Sequence, residues 1–318
     1  MRTFEPFVKS GYGPLDPKVN LQPDFLAGFE PSQRKEIVLR EAEFYHKLTR
    51  PYSVDTTIYK EYTSFSAADG EKIDVKVYRP AHTDKVLPAV VFFHGGAFIT
   101  CSIETHDYVP SYLAAHAQMT VFSIGYRLAP EYKFPVGLQD CYTALEWIQH
   151  NADKWKIDPL KINVCGDSSG GNFAAVVCLM ARDQSDVHIH KQVLIYPVTD
   201  LTTEVEKQSV KIYGTPSGND SVKGIDYIGH YLKCVDDRKN PYISPIFAKD
   251  FSNLPEALFI QAECDTLCDD GLIYAKLLQN AGVPVDVRIY KGMPHAFILR
   301  TYSQTFEALN HICSFLAD

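Results

Sequence analysis

No stretch of this 318-residue chain is long and apolar enough to cross a bilayer. The longest apolar runs, 86–93 and 174–181, fall far short of the roughly 20 residues a spanning helix needs. Stable membrane insertion is therefore not expected. A Lys/Arg-rich run is also missing. With 31 basic and 39 acidic residues the formal net charge is −8, which disfavours nucleic acid as a partner. The eight cysteines show no framework spacing. In a chain this large that points to reduced thiols rather than a disulfide scaffold. The first residues, Met-Arg-Thr-Phe-Glu-Pro-Phe, hold no apolar stretch of the signal-peptide kind. Internal repeats and low-complexity tracts are absent as well. A cytoplasmic globular protein is the expectation, and the length suits one large α/β domain or two modest ones.

What is present is a succession of turn signals and short apolar segments. Residues 1–55 begin as irregular chain around Pro14 and Pro17. Pro31 then opens a predicted helix over 31–48, at a position where its missing N–H has no intrahelical partner anyway. Val38, Ala42, Tyr45 and Leu48 form an apolar stripe along it, and Pro51 ends it. Predicted strands over 56–66 and 72–78 flank Asp69-Gly70, a turn signal that makes them an antiparallel hairpin. Strands and helices then alternate. Strands are predicted over 86–93, 120–126, 162–165, 192–196, 257–262 and 285–290, and helices over 138–150, 171–181, 271–281 and 303–316. That alternation predicts an α/β architecture with a mostly parallel sheet and helices on both faces. The insert over 200–249 carries Gly214, Pro216, Gly218, Asn219 and Gly224 beside Tyr213, Tyr227 and Tyr231. It is too long for a simple connection and reads as a lid or cap.

Gly166-Asp167-Ser168-Ser169-Gly170 lies between predicted strand 162–165 and helix 171–181. A G-x-S-x-G match alone is weak. A strand, a glycine-flanked turn and a helix are nevertheless the context a nucleophile elbow needs. A nucleophilic Ser168 requires a base, an acid to orient the base, and donors for an oxyanion. In a parallel sheet these lie beyond the carboxyl ends of strands, and three segments qualify. The first is His94-Gly95-Gly96-Ala97-Phe98, whose adjacent glycines allow a tight turn with N–H groups aimed at a ligand oxygen. Gly95, Gly96 and Ser169 are the expected backbone donors, and His94 is expected to brace the loop rather than act as base. The second segment runs over 263–270. Asp265 is the expected acid, with Glu263 and Asp269 as alternatives; Asp270 suits a helix cap, and it and Asp269 read as solvated acids at a helix start. Cys264 and Cys268 read as buried thiols rather than a zinc pair. The third, Gly292-Met293-Pro294-His295-Ala296-Phe297, offers His295 as base. The order Ser168, Asp265, His295 is that of the α/β hydrolases. In Tyr126-Arg127-Leu128-Ala129-Pro130-Glu131, Arg127 and Glu131 are expected to pair and brace their loop.

Taken together, these segments resemble the hormone-sensitive-lipase-like family of α/β-hydrolase carboxylesterases, in the branch with Asp before the nucleophile. The resemblance runs from about residue 75 to the C-terminus. It implies an eight-stranded, mostly parallel sheet with a mainly helical cap. Residues 1–55 and 200–249 would form the cap, and 56–199 and 250–318 the catalytic core. The resemblance places the nucleophile on Ser168, the acid on Asp265 and the base on His295, with oxyanion donors on the backbone of 95–97 and of Ser169. Ala97 stands where the family's third glycine is usual, Ser169 where Ala is usual, and Ala296 where Gly is common. The activity implied is hydrolysis of short-to-medium acyl esters through an acyl-enzyme, with a small-molecule ester as partner and no metal or organic cofactor. Phe98, Phe297 and the tyrosine-rich insert are candidates to line an apolar pocket. A homodimer through the edge strand or the last helix is compatible with the sequence. Two other activities fit the same scaffold: an amidase or peptidase, and a non-catalytic receptor for a small molecule.

Overall fold

Eight strands make one sheet: β1 (Ile58–Ser66), β2 (Lys72–Pro80), β3 (Leu87–Phe93), β4 (Thr120–Gly125), β5 (Ile157–Asp167), β6 (Lys191–Ile195), β7 (Glu256–Cys264) and β8 (Val285–Pro294). They lie in the order β1-β2-β4-β3-β5-β6-β7-β8 in this computed structural model, which describes residues 13–19, 30–202, 204–214 and 226–318. Only β2 runs against the others. It pairs antiparallel with β1 across the Asp69-Gly70 turn and antiparallel with β4, while every remaining pair is parallel. Gly70 has φ +89°, a backbone that a side chain would strain.

The described helices are α1 (Arg34–Thr49), α2 (Tyr108–Ala117), α3 (Val136–His150), α4 (Ala152–Trp155), α5 (Ser169–Gln184), α6 (Gln208–Tyr213), α7 (Tyr227–Tyr231), α8 (Cys268–Asn280) and α9 (Ser303–Ala317). Alternate residues of the central strands feed two separate cores. Val91, Phe93, Val164 and Leu194 pack with residues of α3, α5 and α8. Val90, Phe92, Cys165 and Val193 pack with residues of α2 and α9 on the other face. Burial on both faces is why β3 reads as an unbroken apolar run. Truncating one of its phenylalanines to alanine costs roughly 3–5 kcal/mol.

The structure adds α2, which the sequence pattern does not announce. Val109 to Ala114 are all buried, so the helix has no polar face to set a 3.6-residue period, and Pro110 lies in its first turn. Along α1 the fully buried positions are Glu41, Tyr45 and Thr49. Of the expected stripe only Tyr45 is among them; Val38, Ala42 and Leu48 are half-buried. The thiol of Cys101 lies 3.6 Å from Glu41 Oε2, which gives that carboxylate a polar neighbour. In the insert, Pro216, Gly218, Asn219 and Gly224 lie outside the described residues.

Candidate active site

The turn from β5 into α5 is built on contact between backbones. A Cβ on Gly166 would fall on the carbonyl oxygen of Gly170, and one on Gly170 would fall on that of Phe93. Both positions therefore exclude any side chain, which is the physical content of the glycine-flanked motif. Between them Ser168 takes φ +55° and ψ −118°, an unfavourable backbone for a residue with a Cβ. Its N–H is held by Ile195 O at 2.9 Å. The result is a buried turn with the hydroxyl at its apex and the N-terminus of α5 beside it.

The hydroxyl has a partner 127 residues away. His295 Nε2 lies 3.0 Å from Ser168 Oγ, and His295 Nδ1 lies 2.6 Å from Asp265 Oδ2. A carboxylate only accepts, so Nδ1 carries the proton and Nε2 is left to receive one from Ser168. Asp265 is 1% exposed, and its second oxygen accepts from Leu267 N at 2.9 Å. The ring of Tyr196 packs at 4.7 Å from the imidazole. Glu263 is turned elsewhere and accepts from Gly292 N at 2.9 Å, while Asp269 accepts from Ser209 N at 2.9 Å.

Facing this chain is the loop after β3. Gly96 has φ +124°, Ala97 φ +53° and Phe98 φ +68°. His94 is buried and its Nδ1 donates to Gly95 O at 2.6 Å, with the ring of Tyr126 stacked at 4.3 Å. Burial, aided by the neighbouring His106, pushes the His94 pKa down to about 3, so the ring is a neutral brace and not a base. The peptide group whose carbonyl receives that bond carries the N–H of Gly96 at its other end, so the bond strengthens Gly96 as a donor. Gly95 departs from the sequence-based expectation. Its N–H is donated to Asp167 Oδ1 at 2.9 Å and is not free for an oxyanion. The N–H groups of Gly96, Ala97 and Ser169 make no hydrogen bond to a described residue. Ser169 opens α5, whose dipole favours negative charge there.

The sequence pattern of the α/β hydrolase fold family matches residues 90–299. The chain belongs to that family, in its hormone-sensitive-lipase-like branch. Among relatives of this α/β hydrolase, the arylesterase of Saccharolobus solfataricus is 38% identical over 229 residues, covering 71% of this chain and 73% of that one. The ethyl acetate hydrolase of Pseudomonas putida is 34% identical over 238 residues, covering 74% of each chain. A solved esterase of Pyrobaculum calidifontis superposes with a TM-score of 0.85 at 36% identity, covering 96% of this chain and 98% of that one.

Three expectations for this hydrolase need correction. Arg127 does not pair with Glu131. It grips buried Asp140 through Nε at 2.9 Å and Nη2 at 2.7 Å, and reaches Asp69 through Nη1. Glu131 instead receives Nη1 of Arg34, from α1, at 2.7 Å, while Nε of the same guanidinium binds Ile99 O at 2.6 Å. Asp269 and Asp270 are neither solvated acids nor caps. Both are buried, and Asp270 accepts from Thr199 N and Asp200 N and pairs with Lys207 at 2.6 Å. Burial pushes the Asp270 carboxyl up to about 6 against the pull of Lys207, with Asp200 adding to the rise. Phe98 and Phe297 are sealed in the protein rather than lining an open pocket. Phe98 stacks at 3.9 Å on Tyr231 of α7, and Phe297 packs against Tyr196 and Tyr290. The bond from Gly95 N–H to Asp167, which His106 backs, is one that the sequence pattern did not single out.

Proposed function

We propose that this α/β hydrolase cleaves short-to-medium acyl esters, with Ser168 as nucleophile, His295 as base and Asp265 holding the imidazole. The observation that carries the proposal is the continuous chain Ser168 Oγ, His295, Asp265, at 3.0 and 2.6 Å. That the chain is a carboxylic-ester hydrolase rests on its family and on relatives named arylesterase and ethyl acetate hydrolase. Ser168 Oγ attacks the ester carbonyl carbon as His295 Nε2 takes its proton. The carbonyl oxygen becomes an oxyanion, received by the N–H groups of Gly96, Ala97 and Ser169. Collapse expels the alcohol, which takes the proton from His295, and leaves Ser168 acylated. Water then gives a proton to His295 and its oxygen to the acyl carbon, and the acid departs as Ser168 regains its proton.

Residues 1–55 and 200–249 act in this reading as a cap. Its support is the grip of Arg34 on Ile99 and of Lys133 Nζ on Gly229 O at 2.6 Å and Leu232 O at 2.9 Å. Eight free cysteines fit a reducing cytoplasm. A homodimer through β8 or α9 is tested by sedimentation. Ser168→Ala is expected to lower turnover of p-nitrophenyl acetate by on the order of a million-fold. Near-normal turnover would remove the nucleophile assignment. Rates across acyl chains from acetate to palmitate test the chain-length preference, and a maximum on long emulsified chains would overturn it.

A further inference from the structure

Asp167 places a carboxylate one residue before Ser168 and in direct contact with the oxyanion loop. It is 2% exposed. Its Oδ1 accepts from Gly95 N, and its Oδ2 lies 2.6 Å from where a Cβ on Gly95 would stand, so the loop folds closely over it. This geometry has a cost. An ionised carboxylate in an apolar setting opposes negative charge on a neighbouring oxyanion, and the opposition grows as the local dielectric falls. Besides the Gly95 N–H, the carboxylate faces a buried imidazole. His106 is 1% exposed and its Nε2 lies 3.2 Å from Asp167 Oδ1 and 3.4 Å from Oδ2. A nitrogen facing a carboxylate must carry a proton, so Nε2 is protonated. Nδ1 is fixed in turn by Thr105 Oγ1 at 2.8 Å. The rings of Phe92 and His94 pack at 6.2 and 5.6 Å and exclude water from the pair. Although burial pushes the Asp167 carboxyl up, His106 and Gly95 N–H hold it below its ordinary value, so it is ionised.

We infer that His106 is a positioning residue for the ester hydrolysis proposed above: its Nε2–H hydrogen-bonds the Asp167 carboxylate and disperses its charge, so that this carboxylate fastens the oxyanion loop with less opposition to the oxyanion. The inference rests on the Ser168 reading. It separates two tasks of Asp167, accepting from Gly95 and carrying charge, and only the second needs His106.

The test is a suppressor experiment on p-nitrophenyl acetate turnover. His106→Leu strips the partner and is expected to lower kcat roughly 10- to 100-fold with KM within a few-fold. Asp167→Asn keeps an oxygen for Gly95 N–H and sets the reference. The double variant His106→Leu, Asp167→Asn is expected to match Asp167→Asn within a few-fold, because no charge is left to disperse. A side chain that only fills space would depress the double variant as much as the single one. If His106→Leu does not fold, the comparison of the double variant with Asp167→Asn decides alone. A full kcat in His106→Leu, or a double variant far below Asp167→Asn, overturns the inference. Turnover that survives Ser168→Ala defeats the nucleophile reading instead, and the two failures are distinguishable.

Discussion

The ammonium of Lys207 sits between two buried carboxylates, 2.6 Å from Asp270 Oδ1 and 3.1 Å from Asp200 Oδ2. One cation thus serves two acids, and the triad ties the segment before α6 to the first turn of α8, which follows Asp265. Lys207→Met would leave both carboxylates without their counter-ion. It is expected to destabilise the fold by about 3–5 kcal/mol in urea unfolding. Adding Asp270→Asn is expected to return part of the loss, since one buried charge then disappears. A Lys207→Met protein as stable as its parent would show that the two acids take up protons at little cost.

Glycines that look alike in the sequence should respond differently to alanine. At Gly170 the new methyl meets the Phe93 carbonyl, so the elbow must move. Gly170→Ala is expected to lose about 2 kcal/mol or more of stability and most of its ester turnover. At Gly282 nothing lies within 4 Å, and the strain comes only from φ +84°. Gly282→Ala is expected to lose about 1 kcal/mol with kcat unchanged. Equal loss of turnover in the two variants would separate the elbow's shape from its function.

Two alanines occupy backbone that favours glycine. Ala97 has φ +53° and Ala296 has φ +58°. Ala296→Gly is expected to stabilise the protein by roughly 1 kcal/mol in urea, the strain relieved exceeding the entropy added to the unfolded chain. Ala97→Gly should act in the same direction. A loss of stability in either variant would show that the methyl group's packing outweighs its strain.

Burial of His94 sets an acid limit. The unfolded chain takes up this proton near pH 6.5 and the folded chain near about 3. Between those values the unfolded state binds more protons, so stability is full above the window and falls as the pH drops through it. The loss reaches about 5 kcal/mol at the lower end. His94→Asn is expected to flatten the stability curve between about pH 6 and 4. An unchanged slope would locate the acid sensitivity in other groups.

The sequence pattern exposes the elbow because its requirements are largely local. Gly166, Ser168 and Gly170 lie within five consecutive positions; Gly166 is fixed by the Gly170 carbonyl within the turn, and Gly170 by a distant carbonyl, that of Phe93. His295 and Asp265 are legible because each lies in a short segment that follows a strand the sequence pattern marks. What stays hidden depends on contacts between distant segments. Gly95 and Asp167 are 72 residues apart, and no local rule says that the first glycine's N–H is taken by the second residue's carboxylate. Arg127 illustrates the same limit. Glu131 is a near neighbour in sequence, but Asp140 lies buried at the start of α3, where it accepts from both the guanidinium and the Arg127 N–H. Buried acids defeat composition rules most often, because an aspartate such as Asp270 is written like any surface residue until its partners are folded around it.

His295 hangs from β8, a strand at one end of the sheet, which among the described residues has only β7 beside it. Ser168 follows β5, which is paired on both sides. Ser168 therefore sits at the doubly paired centre of the sheet and His295 at its fringe. Partial opening at that fringe separates the two while most backbone structure survives. Ester turnover should vanish at a lower urea concentration than the far-ultraviolet circular dichroism, and dilution should restore it without a refolding lag.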